Sequence, residues 1–206
     1  MSEIITCEEL PHFLPKLYNI YSQGGLFVYP TETLYGLGTG PFDEKALNRL
    51  FSVKKRPKDM PISIAVADIS MMKRFGEVND KAEKIAHHFL PGPVTLLLQC
   101  KDTVPKILRS AGKVGIRIPD HKIALKIIEN VGPITATSAN LHSGPDPRNV
   151  NDAYEQLGDD VELYIDCGQP KYNGPSTVVD CSEASINIIR KGVIPENEIM
   201  ALFENE

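Results

Sequence analysis

The run Val94-Thr-Leu-Leu-Leu-Gln-Cys100 constrains this chain more than any other segment. It is an uninterrupted apolar strand bounded by Pro91-Gly-Pro93, and such a run predicts a strand covered on both faces. A strand of that kind needs helices to cover it, and helical periods lie on either side. Leu10, Phe13, Leu14, Leu17 and Ile20 recur at near-3.6 spacing and predict a helix over 7–23, closed by Gly24-Gly25. Further helices are predicted over 44–53 (with Asp43 as its N-cap), 68–74, 79–90, 121–130 and 151–157, and from Pro195. Strands are predicted at 26–29, 62–66, 114–118, 134–137, 163–166, 176–180 and 186–190, the last two as a pair. Strands and helices alternate without a repeat, a linker or a composition break. The expected fold is α/β, a twisted mixed β-sheet flanked by helices, in one domain spanning 1–206 with its core at about 7–195.

Composition narrows the function classes. The chain has 206 residues, 42% hydrophobic and 24% charged, enough for one well-buried core. A net charge of −5 argues against a dedicated nucleic-acid binder with a wholly basic face. The cysteines at 7, 100, 167 and 181 lack C-x-x-C spacing, so no zinc site is expected, and a chain this long needs no disulfide framework. Cys100 and Cys181 read as small buried hydrophobes. There is no basic-then-apolar leader, and no run reaches the ~20 apolar residues of a membrane span. The expected location is cytoplasmic.

Six short blocks carry the chemistry: Tyr29-Pro-Thr-Glu-Thr-Leu-Tyr-Gly-Leu-Gly38, Lys54-Lys-Arg-Pro57, Pro91-Gly-Pro93, Val114-Gly-Ile-Arg-Ile-Pro119, Thr137-Ser-Ala-Asn140, and Ser176-Thr-Val-Val-Asp180 followed by Arg190. Each lies where an apolar run meets a turn. Lys54 and Arg56 stand two apart before Pro57, and on an extended segment both would leave on one face toward a shared anion. Taken alone, the four cations at 54–58 read as a solvated turn. Arg117 is mid-strand between two isoleucines; it is either a solvent-facing arginine or a two-pronged clamp for a carboxylate in a cleft. Ser138 and Asn140 share a face after a strand end, where a locally bonded turn is the plainer reading. The glycines of Tyr35-Gly-Leu-Gly38 suit either close backbone approach to a ligand or a tight turn. No histidine falls in any block, and none is assigned to catalysis.

In order and content these blocks resemble the YrdC-like family of threonylcarbamoyl-AMP synthases, over about residues 20 to 195. The resemblance implies a YrdC-like fold and an enzyme, a nucleotidyltransferase that forms threonylcarbamoyl-AMP and pyrophosphate from L-threonine, bicarbonate and ATP. The product feeds the threonylcarbamoyladenosine modification of tRNA through downstream transfer proteins. It implies that Lys54, Arg56, Ser138 and Asn140 serve catalysis, with Mg2+ on the phosphates and no protein-held metal. It places Arg56, Met60, Lys113, Asn140, Arg148 and Arg190 at ATP, and Thr33, Arg117, Ser138 and Ser176 at threonine. Met60 stands where relatives have Asn, so a contact there must use backbone. Ala65 replaces a histidine, Lys113 a small hydroxyl and Arg148 a threonine, and Gly144 lies one place late. The chain ends soon after Arg190, which suggests the short form. Two rivals come from other classes: an RNA- or tRNA-binding module using residues 54–58, and a carbamoyl-transfer domain.

Overall fold

The computed structural model describes residues 2–183 and 185–204. Among the described residues eleven strands run in chain order: β1 Glu3–Thr6, β2 Phe27–Tyr29, β3 Gly36–Gly38, β4 Ser63–Ala65, β5 Gly76–Glu77, β6 Val94–Cys100, β7 Lys113–Arg117, β8 Ile134–Ala136, β9 Leu163–Asp166, β10 Thr177–Asp180 and β11 Asn187–Arg190. The helices are α1 Leu10–Ser22, α2 Glu44–Val53, α3 Ile69–Met72, α4 Asp80–Phe89, α5 Lys122–Val131, α6 Val150–Leu157 and α7 Glu196–Met200. Side-chain caps set the starts of α2 to α6. Asp43 accepts from the backbone N–H groups of Lys45 and Ala46, Asn79 from Ala82, and Asn149 from Asp152.

One sheet has the order β1-β9-β2-β3 and the other β11-β10-β6-β7-β4-β8, with β5 paired to β6. Both mix parallel and antiparallel pairs. β6 is parallel to β10 and antiparallel to β7, for example. The sheets are stitched where β3 meets the chain after β8: Leu37 N–H donates to the Thr137 carbonyl and Ala139 N–H to the Tyr35 carbonyl, both at 2.8 Å. The larger core joins α2, α4 and α6 to the inner faces of β4, β6 and β7; the smaller packs α1 and α5 over β2, β8 and β9.

The predicted helices and all eight predicted strands are present, and β1, β3 and β5 are additional. They are short, and β3 is mostly glycine, so no period-2 pattern marks them. β6 departs from its reading. Val94, Leu96 and Leu98 are fully buried in the core, but Thr95 on the opposite face lines an open cleft. That face is the less completely covered one: Thr95 is buried, while Leu97 and Gln99 are half-buried. The glycines of β3 also have a different cause. A Cβ at Gly36 would come within 2.6 Å of the Tyr29 ring, and one at Gly38 within 2.5 Å of Phe27. Each glycine sits opposite that aromatic in the β2–β3 ladder. The close approach they permit is that of the protein's own rings.

The cysteines give a correction too. Cys7 and Cys167 form a disulfide across 160 positions, with Cα atoms 5.2 Å apart. Parallel pairing of β1 with β9 ends at Thr6 opposite Asp166, so the next residue of each strand meets its counterpart. That register is a tertiary fact, invisible in cysteine spacing.

Candidate active site

A cleft of about 280 Å³ opens where the C-terminal ends of β4 and β7 meet the N-terminal ends of β6 and β10. The loop before β3 and the segment after β8 form its other walls. Its volume falls near the low end of small-molecule sites, which run to ~300 Å³ and above. Thr33, Arg56, Arg117, Ser138, Ser176 and Arg190 all line it, so residues from five blocks meet in one place.

Arg117 is buried, and its Nη2 donates to Glu32 Oε1 at 2.7 Å and to Thr33 Oγ1 at 2.8 Å. Thr33 Oγ1 also shares a hydrogen bond of 3.0 Å with Thr31 Oγ1. On the opposite wall, Ser176 Oγ and Thr95 Oγ1 lie 2.8 Å apart. Arg190 Nη2 donates to the Ser176 carbonyl at 2.9 Å and to Ser176 Oγ at 3.1 Å. A register shift between β10 and β11, next to the Val178–Arg190 pair, accompanies this placement. Burial lowers the Arg190 pKa, as does repulsion from Arg117 and Arg56, while Asp146 opposes both. Three guanidinium groups thus act on one space.

The Lys54–Arg56 segment is not extended. Lys54 caps the C-terminal end of α2 in helical geometry, and Lys55 has a φ of 49°, so the two side chains diverge. Lys54 turns inward and is 1% exposed, and its Nζ donates to the carbonyls of Ser138 and Asn140 at 2.5 and 2.6 Å. Burial, helped by the nearby Arg56 charge, lowers its pKa to about 7. Arg56 reaches the cleft with its Nε bound to the Met60 carbonyl at 2.8 Å and Nη2 to that of Pro61 at 3.1 Å. Met60 itself is an exposed side chain whose backbone steadies Arg56. The run at 54–58 is therefore not a continuous solvated patch.

Ser138 Oγ donates to Asn140 Oδ1 at 2.6 Å, and Asn140 Nδ2 to the Gly144 carbonyl at 2.9 Å. Asn140 thus braces the wall that Ser138 presents. Besides Met60 and Asn140, two further expected nucleotide contacts do not line the cleft. Lys113 pairs with Asp180 at 2.8 Å and Glu183 at 3.1 Å, and it lies four residues from Arg117 along β7, or ~13 Å. Arg148 is exposed just before α6, where its N–H donates to Asp152. Glu32, Thr95 and Asp146 were not predicted. Only Glu32 left a signal, a lone carboxylate between two threonines of a motif.

The Sua5/YciO/YrdC family model, described as "Telomere recombination", matches residues 19–192. The chain belongs to that family. It is 38% identical over 180 residues to the threonylcarbamoyl-AMP synthase of Pyrococcus abyssi, covering 86% of this chain and 53% of that protein. It is 36% identical over 188 residues to a putative threonylcarbamoyl-AMP synthase of Methanocaldococcus jannaschii, covering 91% and 89%. The chain thus spans about half of the first relative (53%) and most of the second (89%). Among solved structures, P. abyssi Sua5 complexed with L-threonine superposes with a TM-score of 0.92 at 34% identity, over 98% of this chain and 61% of that one. Escherichia coli YciO gives 0.83 at 25% identity, over 95% and 98%. These likenesses agree with the expected YrdC-like α/β fold.

Proposed function

We propose that this family member is an L-threonylcarbamoyladenylate synthase. The observation that carries the reading is the convergence of Arg56, Arg117 and Arg190 with the hydroxyls of Thr33, Ser138 and Ser176 on one cleft. One end suits an amino acid: Arg117 meets the carboxylate while Thr33 and Ser176 frame the remainder. The Arg56 and Arg190 side suits the phosphates of ATP. Two relatives carry the name of that activity, and a closely superposing structure is titled as a complex with L-threonine.

The chemistry needs placement more than a protein nucleophile. The amine of threonine attacks the carbon of bicarbonate or of the carbon dioxide it releases, giving a carbamate, with water lost in the bicarbonate case. A carbamate oxygen then attacks the α-phosphorus of ATP, and the bond to the bridging oxygen breaks to release pyrophosphate. No histidine lines the cleft. Catalysis in this reading comes from holding the reactants together and from guanidinium groups facing the phosphate charge. Ser138 presents its hydroxyl directly, while Lys54 and Asn140 act through the wall they support. No group of three His, Cys, Asp or Glu side chains among the described residues forms a metal site. Magnesium enters this reading as the counter-ion of the ATP substrate.

We read residues 1–206 as one domain working in the cytoplasm and reaching tRNA through other proteins. No helix among the described residues is long and apolar enough to cross a membrane. The deciding assay is pyrophosphate release from ATP with L-threonine and bicarbonate each present or omitted. Release should need both, and release independent of threonine would overturn the reading.

A further inference from the structure

Glu32 is 2% exposed and stands between the cleft and a second cavity of about 250 Å³ bounded by Pro30, His121 and Lys171. Its Oε1 accepts from Arg117 Nη2 at 2.7 Å, and the same nitrogen donates to Thr33 Oγ1 at 2.8 Å. Nη2 has two hydrogens, so both are committed. A guanidinium is planar, and holding one of its nitrogens at two points fixes the orientation of the whole plane.

The pair is one-armed. Glu32 Oε2 and Arg117 Nε are both buried and both lack a partner. A carboxylate and a guanidinium brought together for stability alone would close the second arm, Nε–H to Oε2, as a fork. Here that arm stays open, and each unpaired buried atom costs free energy. With Nη2 committed and Nε enclosed, Nη1 is the nitrogen left to serve the cleft that Arg117 lines.

We propose that Glu32 is a positioning residue for amino-acid binding. It acts through Arg117, turning the guanidinium so that Nη1 faces the substrate carboxylate, and Thr33 is the second anchor of the same nitrogen. This rests on the reading of Arg117 as the threonine carboxylate partner.

The test is calorimetric titration of L-threonine and of ATP, separately, into wild type, Glu32→Met, Glu32→Gln, Glu32→Asp and Arg117→Lys. Glu32→Met fills the same space without an acceptor, and it should weaken threonine about tenfold or more while leaving ATP affinity unchanged. Glu32→Gln keeps an oxygen for Nη2 and should restore most of the threonine affinity. Glu32→Asp keeps the charge but retracts it, so it should resemble Glu32→Met, and it carries the test if the methionine variant does not fold. Arg117→Lys should match Glu32→Met, and adding Glu32→Met to it should cost nothing further. Unchanged or tighter threonine binding in Glu32→Met or Glu32→Asp would overturn the proposal. So would a glutamine variant as weak as the methionine one, or a parallel loss of ATP affinity. Wild type that binds no threonine would instead remove the functional reading.

Discussion

Burying Lys54 beneath the cleft changes what that residue does and when it carries a proton. Its ammonium is enclosed and held by two carbonyls of the Ser138–Asn140 wall, and burial lowers its pKa to about 7. The unfolded chain keeps a lysine proton up to the usual ~10.4. Between about pH 7 and that value the folded protein has released a proton that the unfolded chain still holds. Stability should therefore rise with pH across this window, by at most about 1.4 kcal/mol per pH unit. Urea unfolding at intervals from pH 7 to 10 should show the slope in wild type and its loss in Lys54→Met. Arg56 is the contrasting residue, a cation whose side chain reaches the cleft. If it faces the phosphates, Arg56→Ala should lower kcat/KM about 10²–10³-fold, as for removal of one preorganised donor. The measurement is steady-state pyrophosphate release, and near-normal turnover would remove the phosphate role from Arg56.

At the scale of elements, β3 shows how a loop that lines the cleft is held by packing. Phe27 and Tyr29 on β2 lie across Gly38 and Gly36, and the next residue before β3 is Tyr35, whose hydroxyl donates to the Gly168 carbonyl at 2.7 Å. A methyl group on Gly38 would overlap the Phe27 ring, a fully buried side chain with little room to withdraw. Gly38→Ala should destabilise the protein by about 1–3 kcal/mol, read as a lower urea midpoint with an unchanged m-value. Because β3 carries the loop with Thr33, the same variant should also bind threonine less well. β11 makes a similar point at the sheet edge, where a register shift lies beside the residue that reaches Ser176.

Across the whole molecule, the cleft gathers three arginines and several hydroxyls at one end of the larger sheet, beside the loop before β3 and the segment after β8. It shows no stack of exposed aromatics that would take up the bases of an RNA. The cation run at 54–58 is divided between core, cleft and surface, since Lys54 is buried, Arg56 lines the cleft and Lys58 bonds Asn48. The adenylate should therefore form from purified protein, L-threonine, bicarbonate and ATP with no RNA added. Transfer to tRNA should need additional proteins. Mass spectrometry of the small molecules and of the tRNA checks both halves. Adenylate seen only with tRNA present would contradict the first, and tRNA modified by this chain alone above the uncatalysed rate would contradict the second.

What the sequence alone determined was local: the helices, marked by caps such as Asp43 and by 3.6-residue periods, and the longer strands, marked by apolar runs. It also held the identities of most cleft residues, because Thr33, Arg56, Arg117, Ser138, Ser176 and Arg190 fall in short motifs. Tertiary structure decided their directions. Whether Lys54 faced ligand or core depended on the helical geometry at the end of α2 and on carbonyls more than 80 positions away. Glu32 became the partner of Arg117 through a contact spanning 85 positions, and Cys7 met Cys167 through one strand register. Propensity and periodicity act over one or two turns of chain. A hydrogen bond or an unpaired buried oxygen belongs to the space between distant segments, and only folding creates that space.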